Sequence, residues 1–155
     1  MTITNPPART RAERLRDTRA LLEGGSDCWV ASASGGVPHL VALSFGWDGA
    51  VVTLATPSRY RTALNLAANP EVKLAFGTLW DVVIVDGTAD VRELSEISGS
   101  VLDEFAEQAG WDPRGSEGNA IIEVKPRRVL AWRQENELTG RVLMRGGEWL
   151  DEEEA

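Results

Sequence analysis

The sequence predicts a mainly β fold of the α+β class: an antiparallel barrel of six to seven strands with about three helices. Three observations predict it. Short alternating apolar segments follow one another through turns too short for a crossover helix, which implies hairpin-linked, antiparallel strands. Asp48-Gly49 between two of them is a dipeptide suited to the positive φ of a hairpin turn. Three stretches read as helices beside six or seven strands, and the strands come mostly in sequence. A closed or half-closed barrel is the natural way to remove the edges of such a sheet. With 155 residues, the chain is expected to form one domain over 1–155, with a core large enough to be stable unaided.

The elements follow in order. Residues 1–8, with Pro6 and Pro7, are expected to be loose. Thr10 to about Glu23 reads as a helix, with Leu15 and Leu22 a heptad apart and Gly24-Gly25 as the stop. "DCWVASAS" is a strand, "GGVP" a turn, and "HLVALSFGW" a second strand with His39, Val41, Leu43, Phe45 and Trp47 on one face. "AVVTLAT" completes a meander. Ser58 can cap a helix over Arg59–Ala68, which Asn69-Pro70 ends. "EVKLAFG" and "DVVIVDGTADV" are the next strands, the second with a half-buried alternation of Val83, Val85, Gly87, Ala89 and Val91. Leu94, Ile97, Val101, Leu102 and Phe105 have helical spacing, which predicts a helix from Glu93 to about Ala109. "GWDPRGSEGN" is a loop. "AIIEVKPRRVLAWRQ" is a long strand in which Pro126 marks an edge or a bulge. "GRVLMRGGEWL" reads as a short hairpin, and an acidic tail occupies 151–155.

Composition excludes several classes of function. Net charge is −8, which argues against nucleic acid, where basic neutralisation of phosphates dominates affinity. No apolar run approaches the ~20 residues that span a membrane. The N-terminal charges have no apolar stretch behind them, so no secretory signal is expected. Cys28 is the single cysteine, which excludes an internal disulfide and a cysteine metal cluster. These features point to the cytoplasm. HExxH, GxSxG and P-loop motifs are absent. One histidine, His39, cannot build a histidine metal site, and on its strand face it reads as a buried or rim residue as readily as a catalyst.

The segment "ATPSRYRTALNLAANPEVKLAF" (55–76) is more informative. It sets a strand end, a polar turn and a helix start in succession. A helix start offers unpaired N–H groups and partial positive charge, and arginines beside it suit an anion such as phosphate. Arg61 and Asn65 are i,i+4 and share a face, which leaves Tyr60, Ala63, Leu64 and Ala67 for packing. The alternative is that Arg59 and Arg61 are solvated charges on an acidic protein.

The ordered series "GVPHLVAL", "WDG", "LAT", "SRYRTALNLAANPEVKLAF" and "VDGTADV" resembles the pyridoxamine 5'-phosphate oxidase-like FMN/F420-binding split β-barrel family of flavin and deazaflavin oxidoreductases. The resemblance covers about residues 25–92, and weakly "RRVLAW" and "GRVLMRGGEW". It implies a split barrel, a homodimer with two cofactor sites at the subunit interface, FMN or coenzyme F420 as cofactor, and a small-molecule substrate. By position, the strand carrying His39, Leu40, Val41, Ala42 and Ser44 lies along the cofactor ring. Thr56 and the helix start with Ser58 receive the phosphate. Arg61 matches a phosphate-binding arginine, and Asn65 a polar helix position. Thr62 stands where the family commonly has lysine, which removes one positive charge that Arg59 can replace. Val82 falls beside the ring. Trp132 and Arg141 resemble the tryptophan and arginine of the C-terminal strands, although packing would equally account for Trp132.

The resemblance implies hydride transfer by the bound flavin or deazaflavin, for which the protein need supply no acid–base residue. Two other readings stay open at the level of sequence. One is a flavin, haem or small-ligand binding protein of the same fold without turnover, which Thr62 favours. The other is a structural dimer whose arginines are surface residues.

Overall fold

The computed structural model describes residues 5–150. The expected loose N-terminus falls outside the described residues at 1–4, and the acidic tail does so at 151–155. In chain order the elements are α1 (Arg11–Gly24), β1 (Asp27–Ser34), β2 (Val37–Trp47), β3 (Val52–Pro57), α2 (Arg61–Ala68), β4 (Glu71–Thr78), β5 (Asp81–Glu93), α3 (Gly99–Ala109), β6 (Asn119–Trp132), β7 (Val142–Arg145) and β8 (Glu148–Trp149). Single 3-10 turns lie at Leu94–Glu96, Pro113–Gly115 and Glu135–Glu137.

Every strand pairing is antiparallel. The sheet order is β3-β2-β1-β4-β5-β6-β7-β8, and β3 also pairs with β6. That extra pairing, Val52–Pro57 against Asn119–Val124, closes β1 to β6 into a barrel. The chain thus forms a closed six-stranded antiparallel barrel, with β7 and β8 extending from β6 and three helices outside it. The sequence implied six or seven strands; β8, only Glu148–Trp149, makes an eighth.

Alternation puts Cys28, Val30, Phe45, Leu54, Val72, Leu74, Phe76, Val83, Val85, Ile122, Val124 and Val129 inside, each 5% exposed or less. Phe45 and Phe76 meet edge to face at 4.8 Å in this core. Burial pushes the Cys28 thiol up to about 12, so it packs as a small hydrophobe. Pro126 sits at a bulge: Gly87 opposes Pro126 while Asp86 opposes Arg128, which leaves Arg127 unopposed. A side chain at Gly87 would meet Val124 Cγ1 at 2.6 Å and Lys125 O at 2.8 Å, so the bulge needs glycine.

Two local expectations are corrected. The predicted helix from Glu93 does not start there. Residues to Glu93 stay in β5 because they pair with β6 as far as Ala120, and α3 begins only at Gly99. Leu94 and Ile97 pack on the Ala55–Phe105 cluster from a 3-10 turn and the segment after it, which imitates helical spacing. Ser58 does not cap α2. The N-cap is Tyr60, with no side-chain cap hydrogen bond, and the helix begins at Arg61.

Candidate functional site

The barrel is split beside α2. β2 pairs with β1 along Val37–Ser44, but with β3 only over Phe45–Trp47. Upstream of Phe45, β2 diverges from β3, and the gap opens a cavity of about 630 Å³. Its walls are His39, Val41, Ala42 and Leu43 from β2, and Ala55, Thr56 and Pro57 from β3. Arg59, Tyr60, Arg61, Thr62 and Leu64 close its end at the start of α2, and Trp111 completes it.

The start of α2 suits an anion because no side chain among the described residues caps it. The turn before it closes through Tyr60 N–H donating to Pro57 O at 3.0 Å, and Ser58 N–H donating to Gly118 O at 2.8 Å. Neither contact satisfies the N–H groups of the first turn, and no side chain does so. Arg59 stacks over Tyr60 at 5.1 Å, and neither Arg59 nor Arg61 forms an ion pair among the described residues. Two guanidiniums and a row of N–H donors thus meet at one end of a mainly apolar cavity.

Of the residues singled out by sequence, His39, Val41, Ala42, Thr56, Arg59, Arg61 and Thr62 line this cavity. The others lie elsewhere. Leu40 is 61% exposed and does not line the cavity. Ser44 donates to Asp27 Oδ1 at 3.1 Å. Ser58 is exposed in the turn. Asn65 does not share an outward face with Arg61: it is buried at 3% and donates to Ser32 Oγ at 3.2 Å, because its amide needs a partner where α2 packs on β1. Of the four positions that the sequence assigned to packing, Ala63 is buried, whereas Tyr60, Leu64 and Ala67 are exposed.

Val82 and Trp132 lie directly opposite each other on β5 and β6, on the face opposite to buried Val83 and Ala131. Arg141 donates to Leu138 O at 2.9 Å. None of the three lines the cavity. The face that carries Val82 and Trp132 is apolar across six strands, in the paired row Ala42, Trp29, Ala75, Ile84, Leu130 and Val142.

Trp111 is the wall residue that sequence reasoning missed. Its ring meets Phe105 edge to face at 5.9 Å. Its loop is held by Arg114 donating to Asp112 and Asp103, and by Asn119 Nδ2 donating to Pro113 O. A lone tryptophan in a Gly/Pro loop gives no periodic signal. Among the described residues no three His, Cys, Asp or Glu side chains gather to hold a metal.

The family model for pyridoxamine 5'-phosphate oxidase matches residues 16–133, about three quarters of the chain. No curated protein matches significantly. Among solved structures, an F420 reductase is 22% identical, covering 72% of this chain and 94% of its own, with TM-score 0.60. The heme storage protein of Vibrio cholerae is 17% identical, covering 79% and 95%, with TM-score 0.64. An FAD-binding protein of Mesorhizobium loti is 17% identical, covering 74% and 89%, with TM-score 0.56. At these identities the structures share a fold with this chain, and the fold is the split barrel described above. Together with the family match over β1 to β6, they place the chain in the pyridoxamine 5'-phosphate oxidase-like FMN/F420-binding split-barrel family.

Proposed function

We propose that the chain is a cytoplasmic, homodimeric oxidoreductase that holds FMN or coenzyme F420 in the cavity between β2 and β3 and acts on a small molecule. One observation carries this reading: Arg59 and Arg61, without carboxylate partners among the described residues, flank an uncapped helix start on an apolar cavity of a protein with net charge −8. A phosphate fits there. The first-turn N–H groups would donate to it, Arg61 would add a charge-assisted hydrogen bond, and Thr56 and Thr62 line the same cavity. Either cofactor, when bound, supplies hydride transfer. The chain's own part is then to bind, aim and shield. Arg59 and Arg61 fix the anionic end, Val41, Ala42 and Leu43 offer an apolar wall for a planar ring, and that wall excludes water.

The homodimer rests on the apolar outer row, whose Trp29 is 53% exposed in the single chain, beside Leu40 at 61%. Surfaces of this kind are covered in obligate dimers, whose interfaces exceed the ~1,200–2,000 Å² of standard complexes. A second copy would also bring Val82, Trp132 and Arg141 toward a cavity that the single chain does not give them.

The purified protein tests the cofactor. Flavin or deazaflavin absorbance that co-purifies, or saturable binding of FMN or F420 by the colourless protein, is expected. Failure to bind either at micromolar concentration contradicts the proposal. A second reading, a ligand-binding protein without turnover, is favoured by Thr62, an uncharged residue where the family commonly has lysine, and by His39 on the cavity wall, which could meet a haem. A Soret band on adding haem, lost in His39→Ala, would establish it.

A further inference from the structure

β1 and β2 turn matched apolar pairs toward the barrel core: Cys28 opposite Leu43, and Val30 opposite Val41. The next pair in the same register is Ser32 opposite His39, and both of these are polar. Ser32 is buried at 5%, whereas His39, half-buried, stands on the wall of the cavity beside α2.

The buried serine is met from the helix. Asn65, 3% exposed on α2, donates through Nδ2 to Ser32 Oγ at 3.2 Å. A serine hydroxyl can accept twice and donate once. Asn65 takes up an acceptor position, so Ser32 keeps its own proton, which it gives to no acceptor among the described residues. His39 likewise forms no hydrogen bond among the described residues. Residues directly opposite on antiparallel strands hold their Cβ atoms about 4.5–5.5 Å apart. A change of side-chain rotamer therefore brings an imidazole nitrogen of His39 to the Ser32 hydroxyl.

That contact has a chemical consequence. In a neutral imidazole one nitrogen accepts and the other carries the proton. If the nitrogen nearer Ser32 accepts the serine proton, the N–H lies on the other nitrogen, directed away from β1 and into the cavity. The titratable and charged groups that share this wall with His39 are Arg59, Tyr60 and Arg61 from the start of α2, and no carboxylate lines it. The N–H therefore has no competing acceptor of that kind on the wall.

We propose that His39 donates this N–H to an acceptor atom, a carbonyl oxygen or ring nitrogen, of the planar ligand in the cavity, and that Ser32 and Asn65 are positioning residues that fix its tautomer. This rests on the cofactor-binding reading above. α2 then serves the ligand from two successive turns. Arg61 takes the anionic end, and Asn65, four residues on, sets the donor for the ring through Ser32.

The chain has one histidine, so NMR of labelled imidazole nitrogens reads this residue alone. With FMN bound at neutral pH, the wild type should show a single tautomer, one nitrogen protonated and the other not. Ser32→Ala should mix the two tautomers, and Ser32→Thr, which keeps the hydroxyl, should restore the single one. In fluorescence titrations, His39→Leu should weaken FMN binding roughly two- to tenfold, and His39→Gln, which keeps an N–H donor, should lose less. Circular dichroism confirms that each variant is folded. Wild-type affinity in His39→Leu, or the same tautomer balance in wild type and Ser32→Ala, overturns the inference and leaves the phosphate reading standing. Haem ligation by His39 overturns it too, because iron needs the nitrogen that carries the proton here. Failure of the wild type to bind FMN or F420 overturns the phosphate reading, and this inference falls with it.

Discussion

Arg9 binds Glu137 across almost the whole chain, through its backbone N–H at 2.9 Å, Nε at 3.0 Å and Nη2 at 2.8 Å. Glu137 is 2% exposed and also accepts from the Arg133 N–H at 2.9 Å. Arg14, just inside α1, donates to Glu137 O at 3.0 Å and approaches Ala131 O at 3.3 Å. The segment before α1 therefore fixes the turn between Trp132 and Arg141, the two C-terminal residues that resemble family site positions.

The Arg9 hydrogen bond is the main reason that the Glu137 carboxyl is held down at about 2, against an ordinary value of 4.5. A depressed carboxylate contributes stability that is present above its unfolded value and lost as pH falls through the folded one. Unfolding free energy should drop as pH is lowered from about 4.5 toward 2, by on the order of 3 kcal/mol from this group. Glu137→Gln should be less stable at neutral pH and should lose that part of the acid slope. Denaturant titrations across this range check it, and an unchanged slope in the variant contradicts it.

The exposed row on β1 and β2 predicts a dimer in solution. Light scattering at micromolar concentration should give twice the chain mass of 16.9 kDa. Trp29→Asp puts a charge in the row and should give a monomer with unchanged circular dichroism. A monomeric wild type would contradict the interface.

Thr62 is buried at 2% on the cavity wall. Thr62→Lys should tighten FMN roughly tenfold by adding a charge-assisted hydrogen bond near the phosphate, at some cost in melting temperature from burying the lysine stem. Unchanged or weaker FMN binding by a folded variant would mean that the phosphate lies elsewhere.

Trp132 is predicted to face the partner's ligand. Adding FMN or F420 should quench part of the tryptophan fluorescence, and Trp132→Phe should reduce the change. An equal quench in the variant would assign Trp132 to packing.

The meander β1 to β3, an edge or bulge at Pro126 and the C-terminal hairpin could be read from the sequence because each is coded locally. Alternation, Asp48-Gly49 and a mid-strand proline act over a few residues. Closure by β3 against β6 could not be read so, since Leu54 and Ile122 lie far apart in sequence and nothing near either names the other. The false helix start at Glu93 has the same origin: long-range pairing overrode local spacing. Within the site, the arginines were found because two cations stood at a helix start. Asn65 was turned outward in error because its Ser32 partner lies on another element. Trp111 was missed because its position depends on packing against Phe105.

The central claim is that Arg61 and the start of α2 hold a cofactor phosphate, and titration calorimetry on wild type and Arg61→Ala with FMN and F420 tests it most directly. Loss of one charge-assisted hydrogen bond, worth ~1.5–3 kcal/mol, should weaken binding roughly ten- to a hundredfold. Thermal stability should barely change, because Arg61 is exposed in the first turn of α2 and forms no ion pair among the described residues. Equal affinity in the two proteins would contradict the phosphate site.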